Sequence, residues 1–213
     1  MEDLSFSELV SERLIIRRFE LADAAPLAAY RSDAEVARYQ AWECPYSLSE
    51  AEKFVASLRD LVPGTPGTWF QFAVRLVPSG TLIGDVALRT VRSDPRQAEL
   101  GFTFAGSYQG QGYATEAVRR VVAYAFDRLA MHRVFSLTDT RNLRAKHLLE
   151  RLGFRREGEL RESTWFKGAW ASEFIYAQLE SERRPEHAVY HLSGPVASSD
   201  VDRPSGSVGG RRR

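Results

Sequence analysis

Two glycines between a strand-like segment and a long amphipathic segment are the feature that most limits how this chain can fold. Residues 98–105 alternate apolar and small or polar side chains, as a half-buried β-strand does. In residues 114–129 the apolar positions recur every three or four residues, which predicts a helix with one buried face. Gly110 and Gly112 lie between the two. The segment therefore predicts a strand, a glycine turn and a helix in succession.

The glycine turn has the composition of an anion-binding site. Without Cβ atoms at Gly110 and Gly112, backbone N–H groups and the helix N-terminus can approach a phosphate. A Rossmann fingerprint is a poor fit because Thr115 occupies its third small position, and a P-loop is excluded because no Gly-Lys-Ser or Gly-Lys-Thr follows. The turn is thus either a diphosphate site or a tight turn with a structural role only.

A second helix start follows further along the chain. Asn142 precedes an amphipathic segment that ends at Leu152, and Gly153 follows as a C-terminal breaker. Asn is a preferred N-cap residue, so Asn142 by itself is explained by capping.

Taken together, the two segments resemble the GNAT superfamily of acyl-CoA-dependent N-acyltransferases. The residues that carry the resemblance are Gln109-x-x-Gly112-x-Ala114 and Asn142-x-x-Ala145 ahead of Leu152-Gly153-Phe154. Further segments between residues 11 and 182 are similar to the RimJ/RimL-like branch, which acetylates ribosomal-protein N-termini. This branch also contains acetyltransferases of small amines and antibiotics.

The resemblance implies a mixed α/β architecture, the GNAT fold. Its central twisted sheet is mostly antiparallel and has six to seven strands, with a splay between the fourth and fifth strands and about four flanking helices. The fourth strand is the segment at residues 98–105, and the fifth begins near Arg133. Residues 1–184 are expected to form this domain. Residues 185–213 are rich in Ser, Gly, Pro and Asp, which predicts a disordered tail.

The same resemblance implies how acetyl-CoA is bound. Backbone N–H groups of the glycine turn hold the pyrophosphate, the fourth strand pairs with the pantetheine arm, and the Asn142 side chain touches that arm. The implied cofactor-binding residues are Phe102, Thr103, Phe104, Gln109, Gly110, Gln111, Gly112, Tyr113, Ala114, Thr115 and Asn142.

Acyl transfer needs neither a metal nor a covalent enzyme intermediate, because a neutral amine attacks the thioester directly. Many GNAT enzymes have a Tyr where this chain has Leu149, and the ribosomal branch has a Ser where it has Ala145. An acidic residue proposed as the base in that branch would fall near Thr164. Glu99 is the main candidate for a catalytic base, ahead of Glu43 and His147. For Glu99 the alternative is a salt-bridged surface Glu.

Acceptor specificity is expected in the loop near residue 42 and in the last hairpin. The candidate substrate-binding residues are Trp42, Glu43, Tyr46, Trp165 and Trp170. Core packing explains some of these aromatic residues equally well. The favoured acceptor is a peptide N-terminal α-amine, the rival is a polyamine or aminoglycoside, and a non-catalytic acyl-CoA-binding module is a third alternative.

Charge and cysteine content limit the partners. A net charge of +1 argues against electrostatic binding to nucleic acid or membrane. The single Cys44 excludes an internal disulfide and a cysteine metal cluster. With no signal peptide and no apolar segment long enough to cross a bilayer, we expect a cytoplasmic enzyme. Its expected partners are acetyl-CoA and an amine acceptor, and a homodimer is left open.

Overall fold

The chain folds around one β-sheet that carries helices on both faces. The computed structural model describes residues 6–183, so the tail predicted at residues 185–213 lies outside the described residues. Within the described part the strands are β1 (Glu8–Val10), β2 (Leu14–Arg17), β3 (Trp69–Leu76), β4 (Leu82–Thr90), β5 (Gln97–Phe104), β6 (Arg133–Asp139), β7 (Arg155–Phe166) and β8 (Ala169–Leu179). The helices are α1 (Ala24–Arg31), α2 (Ala34–Ala37), α3 (Leu48–Ser57), α4 (Tyr113–Asp127) and α5 (Leu143–Arg151).

The order of the strands sets the position of the candidate site. Across the sheet they run β1-β2-β3-β4-β5-β6-β8-β7. Neighbouring strands are antiparallel except for β5 and β6, which are parallel. That parallel pairing extends only from Gln97–Arg133 to Glu99–Phe135. Beyond it the two strands separate, so the splay expected between the fourth and fifth predicted strands lies between β5 and β6.

The described sheet is larger than the six to seven predicted strands. The additional strand is β1, which pairs with β2 through Leu9 and Ile16. Three residues are too few to show a period-two pattern, and the pairing with β2 alone defines the strand. The additional helix is α2, a single turn that Asp33 caps by accepting from the N–H of Glu35.

Apolar side chains cover both faces of the sheet. Phe70, Phe72 and Val74 of β3 point into the larger core, which they share with α4. Ala73, between them, points into a smaller core with α1 and α3. This alternation follows from the pleat of the strand. In α5, Leu149 is fully buried in the larger core, so the position at which many GNAT enzymes carry a Tyr here serves packing.

Candidate active site

The glycine turn leads from β5 into α4 and leaves its backbone donors free. Gly110 has φ +76° and Gly112, the N-cap of α4, has φ +84°. The N–H groups of residues 110–115 donate to no acceptor within residues 6–183. A Cβ added at Gly110 would meet no atom within 4 Å. Open space in front of unpaired N–H groups at a helix N-terminus fits a phosphate group.

Glutamine side chains on both sides of Gly110 brace this turn. Gln109 donates from Nε2 to the carbonyl of Phe104 over 2.8 Å and accepts from Arg144 over 2.6 Å. Gln111 donates from Nε2 to the carbonyl of Ser107 over 2.8 Å. The side chains thus fix the turn, while its backbone stays available for a ligand.

An ion pair that the sequence did not indicate ties the turn to the start of β2. Arg13 donates to the carbonyl of Gln111 over 3.1 Å, and its guanidinium lies 4.4 Å from the ring centre of Tyr113. Its Nε lies 2.7 Å from Glu116 of α4. Burial raises the pKa of Glu116, but hydrogen bonds from Arg13 and Ser11 outweigh burial and lower it.

A cavity of about 160 Å³ opens where β5 and β6 separate. Three consecutive β5 residues and four consecutive β6 residues form its two walls. α5, the β7–β8 hairpin and the chain near residue 40 complete it. The lining residues are Tyr39, Gln40, Leu100, Gly101, Phe102, Ser136, Leu137, Thr138, Asp139, Asn142, Ala145, Thr164, Phe166, Ala171 and Glu173.

Of the residues predicted to bind the pantetheine arm, Phe102 and Asn142 line the cavity, whereas Thr103 and Phe104 are buried in β5. Asn142 also caps α5, because its Oδ1 accepts from the N–H of Ala145 over 3.1 Å. Capping and contact with the cavity therefore coexist at this residue. At the glycine turn, Thr115 Oγ1 accepts from Arg151 over 3.3 Å.

Glu99 lies at the last paired position before the splay. It forms an ion pair with Arg89 on the adjacent strand, and it is not among the lining residues of the cavity. Partial burial raises the pKa of Glu99, the charge of Arg89 opposes the rise, and the charge of Glu173 adds to it. The salt-bridged alternative is thus realised in the geometry, and a catalytic role for Glu99 stays a prediction.

Glu173 of β8 is the acidic residue that sequence reasoning missed. Its Oε2 accepts from the hydroxyl of Thr164 over 2.7 Å and from that of Ser163 over 3.2 Å. Glu173 and Thr164 both line the cavity. The register of β7 with β8 is irregular between Leu160 and Thr164, so no spacing in the sequence indicates that these residues meet.

The predicted acceptor residues lie in two different environments. The rings of Trp42 and Tyr46 pack on the guanidinium of Arg31, at 4.2 and 5.1 Å, and Glu43 is exposed. Trp165 and Trp170, in contrast, form an exposed edge-to-face pair with ring centres 5.4 Å apart. None of the five lines the cavity, although the hairpin residues next to this pair do. Their roles stay predictions.

Residues 6–183 contain no group of three or more His, Cys, Asp or Glu side chains arranged to hold a metal ion. No helix in this part of the chain has the length and hydropathy of a membrane span. The cytoplasmic location and the homodimer stay predictions.

The sequence of this chain is similar to those of known N-acetyltransferases. Residues 13–155 match the acetyltransferase (GNAT) domain. A Bacillus licheniformis protein named "uncharacterized N-acetyltransferase p20" is 29% identical over 174 residues, which cover 82% of this chain and 97% of that relative.

Three solved structures share the fold. A GNAT-family acetyltransferase from Bacillus anthracis has a TM-score of 0.74 at 27% identity, covering 82% of this chain and 99% of that one. The spermidine N-acetyltransferase of Vibrio cholerae, in complex with CoA and spermine, scores 0.68 at 26% identity, with 81% and 98% covered. The ribosomal-protein-S5-alanine acetyltransferase of Vibrio fischeri scores 0.72 at 21% identity, with 84% and 100% covered.

The fold and the site define a transferase that moves an acyl group from coenzyme A to an amine. The chain belongs to the GNAT family of N-acetyltransferases, whose members use acetyl-CoA. RimJ/RimL-like ribosomal-protein acetyltransferases are among its structural neighbours, so the predicted resemblance is confirmed.

Proposed function

We propose that the protein transfers the acetyl group of acetyl-CoA to the α-amine at the N-terminus of a peptide or protein. The observation that carries this proposal is the position of the cavity. It lies between the separated ends of β5 and β6, and one 3-10 turn, Gly106–Tyr108, connects β5 to the glycine turn. Acetyl-CoA with its diphosphate at the turn can therefore extend along β5 toward the cavity. There the acceptor amine would meet the thioester of acetyl-CoA.

The residues present fit acetyl-CoA. The unpaired N–H groups of residues 110–115 suit its pyrophosphate. Beyond Glu99, the edge of β5 that faces β6 has no strand partner in the described sheet, so its backbone groups suit the amides of the pantetheine arm. With its Oδ1 engaged in capping, Asn142 has its side-chain NH₂ left to donate toward that arm.

The charges of the cavity favour an acceptor with one ammonium group. Two carboxylates line it, Asp139 and Glu173. Asp139 is paired with Arg141 at 2.6 Å, whereas Glu173 has no ion pair with any described Lys or Arg. One unneutralised carboxylate matches the single charge of an α-amine better than the several charges of a polyamine.

The ordinary pKa values of amines favour the same acceptor. An α-amine has a pKa of about 7.7–8.0 and a lysine amine about 10.4. Presenting the neutral lysine amine therefore costs roughly 3.5 kcal/mol more near neutral pH. A site with few charged groups can therefore bind the neutral α-amine at a lower free-energy cost than the neutral lysine amine. In this proposal the exposed pair Trp165 and Trp170 contacts the acceptor peptide beyond its first residue. Trp42, Glu43 and Tyr46 form the opposite side of the acceptor-binding region.

A release assay for free thiol tests the proposal. The protein and acetyl-CoA are incubated with a peptide that has a free N-terminus and no Lys, with a matched peptide that is Nα-acetylated and contains one Lys, with polyamines and with aminoglycosides. Thiol release that requires the free N-terminus supports the proposal. Preference for polyamines or aminoglycosides overturns the acceptor and keeps amine acetylation, whereas coenzyme binding without release from any acceptor indicates a non-catalytic module.

A further inference from the structure

We propose that Glu173, rather than Glu99, is the base that takes the proton from the acceptor amine, and that Thr164 positions it. The inference rests on the proposed function, because it assigns a residue to that reaction. The two carboxylates differ in access. Glu173 lines the cavity at the splay, whereas Glu99 lies at the last paired position of β5 outside that lining.

The hydrogen bonds of Glu173 leave one oxygen free to act. Ser163 and Thr164 both donate to Oε2. The described residues donate no hydrogen bond to Oε1. The hydroxyls thus fix the orientation of the carboxyl group, and its second oxygen can accept a proton from an amine in the cavity.

The surrounding charges separate Glu173 from the other acidic residues near the site. On their common face of the sheet, Glu99 is paired with Arg89 and Asp139 with Arg141. In each pair the guanidinium occupies the carboxylate and competes with an acceptor amine for its oxygens. Glu173 is paired opposite Asp139 in the β6–β8 register and is close enough to Glu99 to raise the pKa of that residue. Glu173 itself has no ion pair with any described Lys or Arg.

The hairpin that carries Glu173 is held over the cavity. Lys167, at its turn, donates to the carbonyl of Ala37 at the end of α2 over 2.8 Å. Phe166 beside this contact and Tyr39 beyond α2 both line the cavity. The segment that carries Glu173 is thus attached at the hairpin turn by Lys167 and along β8 by its pairing with β6.

The reaction moves two protons away from the acceptor nitrogen. The acceptor ammonium gives one proton to Oε1 of Glu173, and the lone pair freed on nitrogen forms the C–N bond with the acetyl carbonyl carbon. The C–S bond breaks, and the second nitrogen proton ends on the departing sulfur, which leaves as a thiol. Glu173 then returns its proton to water, so one proton is released per turnover.

Steady-state kinetics of the full chain with its best peptide acceptor test the assignment. Glu173→Gln keeps the shape and the acceptor of the Thr164 hydrogen bond, so the fold is expected to persist and a melting curve checks it. We expect kcat/KM to fall by about 10²-fold or more, the lower range for general-base assistance, with coenzyme A affinity by calorimetry unchanged. Glu159→Gln, an exposed residue of β7, is the matched control.

The pH profile distinguishes a base from a structural carboxylate. Without the base, only amine that is already neutral reacts, so the rate of Glu173→Gln is expected to rise about tenfold per pH unit up to the amine pKa of about 8. A peptide acceptor should therefore largely rescue the variant at alkaline pH. Adding Thr164→Glu to Glu173→Gln returns a carboxylate to the same wall and is expected to restore part of the rate at neutral pH.

The outcomes are separable. A Glu173→Gln protein as active as wild type across this pH range overturns the inference while the proposed function stands. If Glu99→Gln loses activity while Glu173→Gln keeps it, Glu99 is the base and the inference is overturned. A wild-type protein that binds coenzyme A and acetylates no amine removes the proposed function and this inference together.

Discussion

Glu99 and Phe135 form the last pair between β5 and β6, and beyond them the two strands diverge. The three β5 residues after Glu99 line one wall of the cavity, and the four β6 residues after Phe135 line the other. The cavity therefore results from the place where strand pairing stops. Its walls include main chain, so much of the binding surface does not depend on which side chains are present. The GNAT motif is therefore recognisable although Ala145 and Leu149 stand where many family members have hydroxyl side chains.

We predict that Gly110→Ala weakens coenzyme A binding much more than Gly64→Ala does. Both glycines have positive φ, +76° and +86°, so both variants carry similar backbone strain. The new methyl group at Gly64 meets Leu129 at 3.4 Å, an ordinary contact, whereas at Gly110 it enters the space in front of the turn. Loss of one charge-assisted hydrogen bond costs about 1.5–3 kcal/mol, or roughly 10–150-fold in affinity.

Isothermal titration with coenzyme A measures both affinities, and melting curves confirm that the two variants remain folded. Equal affinities for the Gly110 and Gly64 variants would show that the glycine turn does not bind the pyrophosphate.

We predict that Glu116→Gln lowers stability, and that the loss depends on pH. Glu116 accepts from Ser11, from the N–H of Arg13 and from the Arg13 side chain, each over 2.7–2.9 Å. Replacing the charge is expected to cost roughly 1–3 kcal/mol, or about 2–4 °C of melting temperature per kcal/mol. Because the folded protein lowers the pKa of Glu116, this stabilisation exists above the unfolded pKa of about 4.3 and disappears as pH falls through the folded value.

Melting curves of wild type and Glu116→Gln from neutral to acidic pH therefore should converge. A gap that stays constant down to the lowest pH would mean that the Glu116 charge contributes nothing and that the variant disturbs packing instead.

We predict that Arg31→Leu destabilises the smaller core by roughly 1–3 kcal/mol at neutral pH, because it removes the positive charge that favours the ionised form of the buried Asp85. Arg31 is only 5% exposed, and its guanidinium lies 4.2 Å from the ring centre of Trp42. Asp85 is 3% exposed and accepts from the hydroxyl of Tyr30 over 2.5 Å. Burial raises the pKa of Asp85, and the charge of Arg31 opposes this rise.

Without Arg31 the folded pKa of Asp85 rises further. Because the pKa of Asp85 is higher in the folded than in the unfolded protein, Asp85 stabilises the fold most below its unfolded pKa of about 3.9. This stabilisation is lost as pH increases through the folded pKa. The deficit of Arg31→Leu should therefore shrink at acidic pH, and the double variant with Asp85→Asn should recover most of it at neutral pH. A double variant no more stable than the single one would assign the loss to packing against Trp42.

We predict that Ala145→Ser increases kcat. Ala145 lines the cavity and its side chain is buried, so the new hydroxyl would lie near the departing sulfur. The gain is expected to stay below the roughly 10²-fold lower limit of general-acid assistance, since a thiolate is a tolerable leaving group without help. Single-turnover measurements check this, and an unchanged rate would show that thiolate departure does not limit the reaction.

The sequence by itself determined the parts of the molecule that depend on neighbouring residues. The strand, turn and helix around Gly110 and Gly112 appear at the predicted positions, because side-chain period and positive-φ glycines act locally. Asn142 caps α5 for the same reason. The order of these two motifs carries the resemblance to the GNAT family, and that resemblance implied the splay between the fourth and fifth predicted strands.

Only the tertiary structure decided which distant side chains meet. Glu173 reaches the cavity because β8 pairs with β6 and because the irregular register of β7 places Thr164 against it. Trp42, a candidate acceptor residue, packs on Arg31, which lies eleven positions earlier in the chain. Strand order and register depend on burial summed over the whole core, and no local pattern encodes that sum.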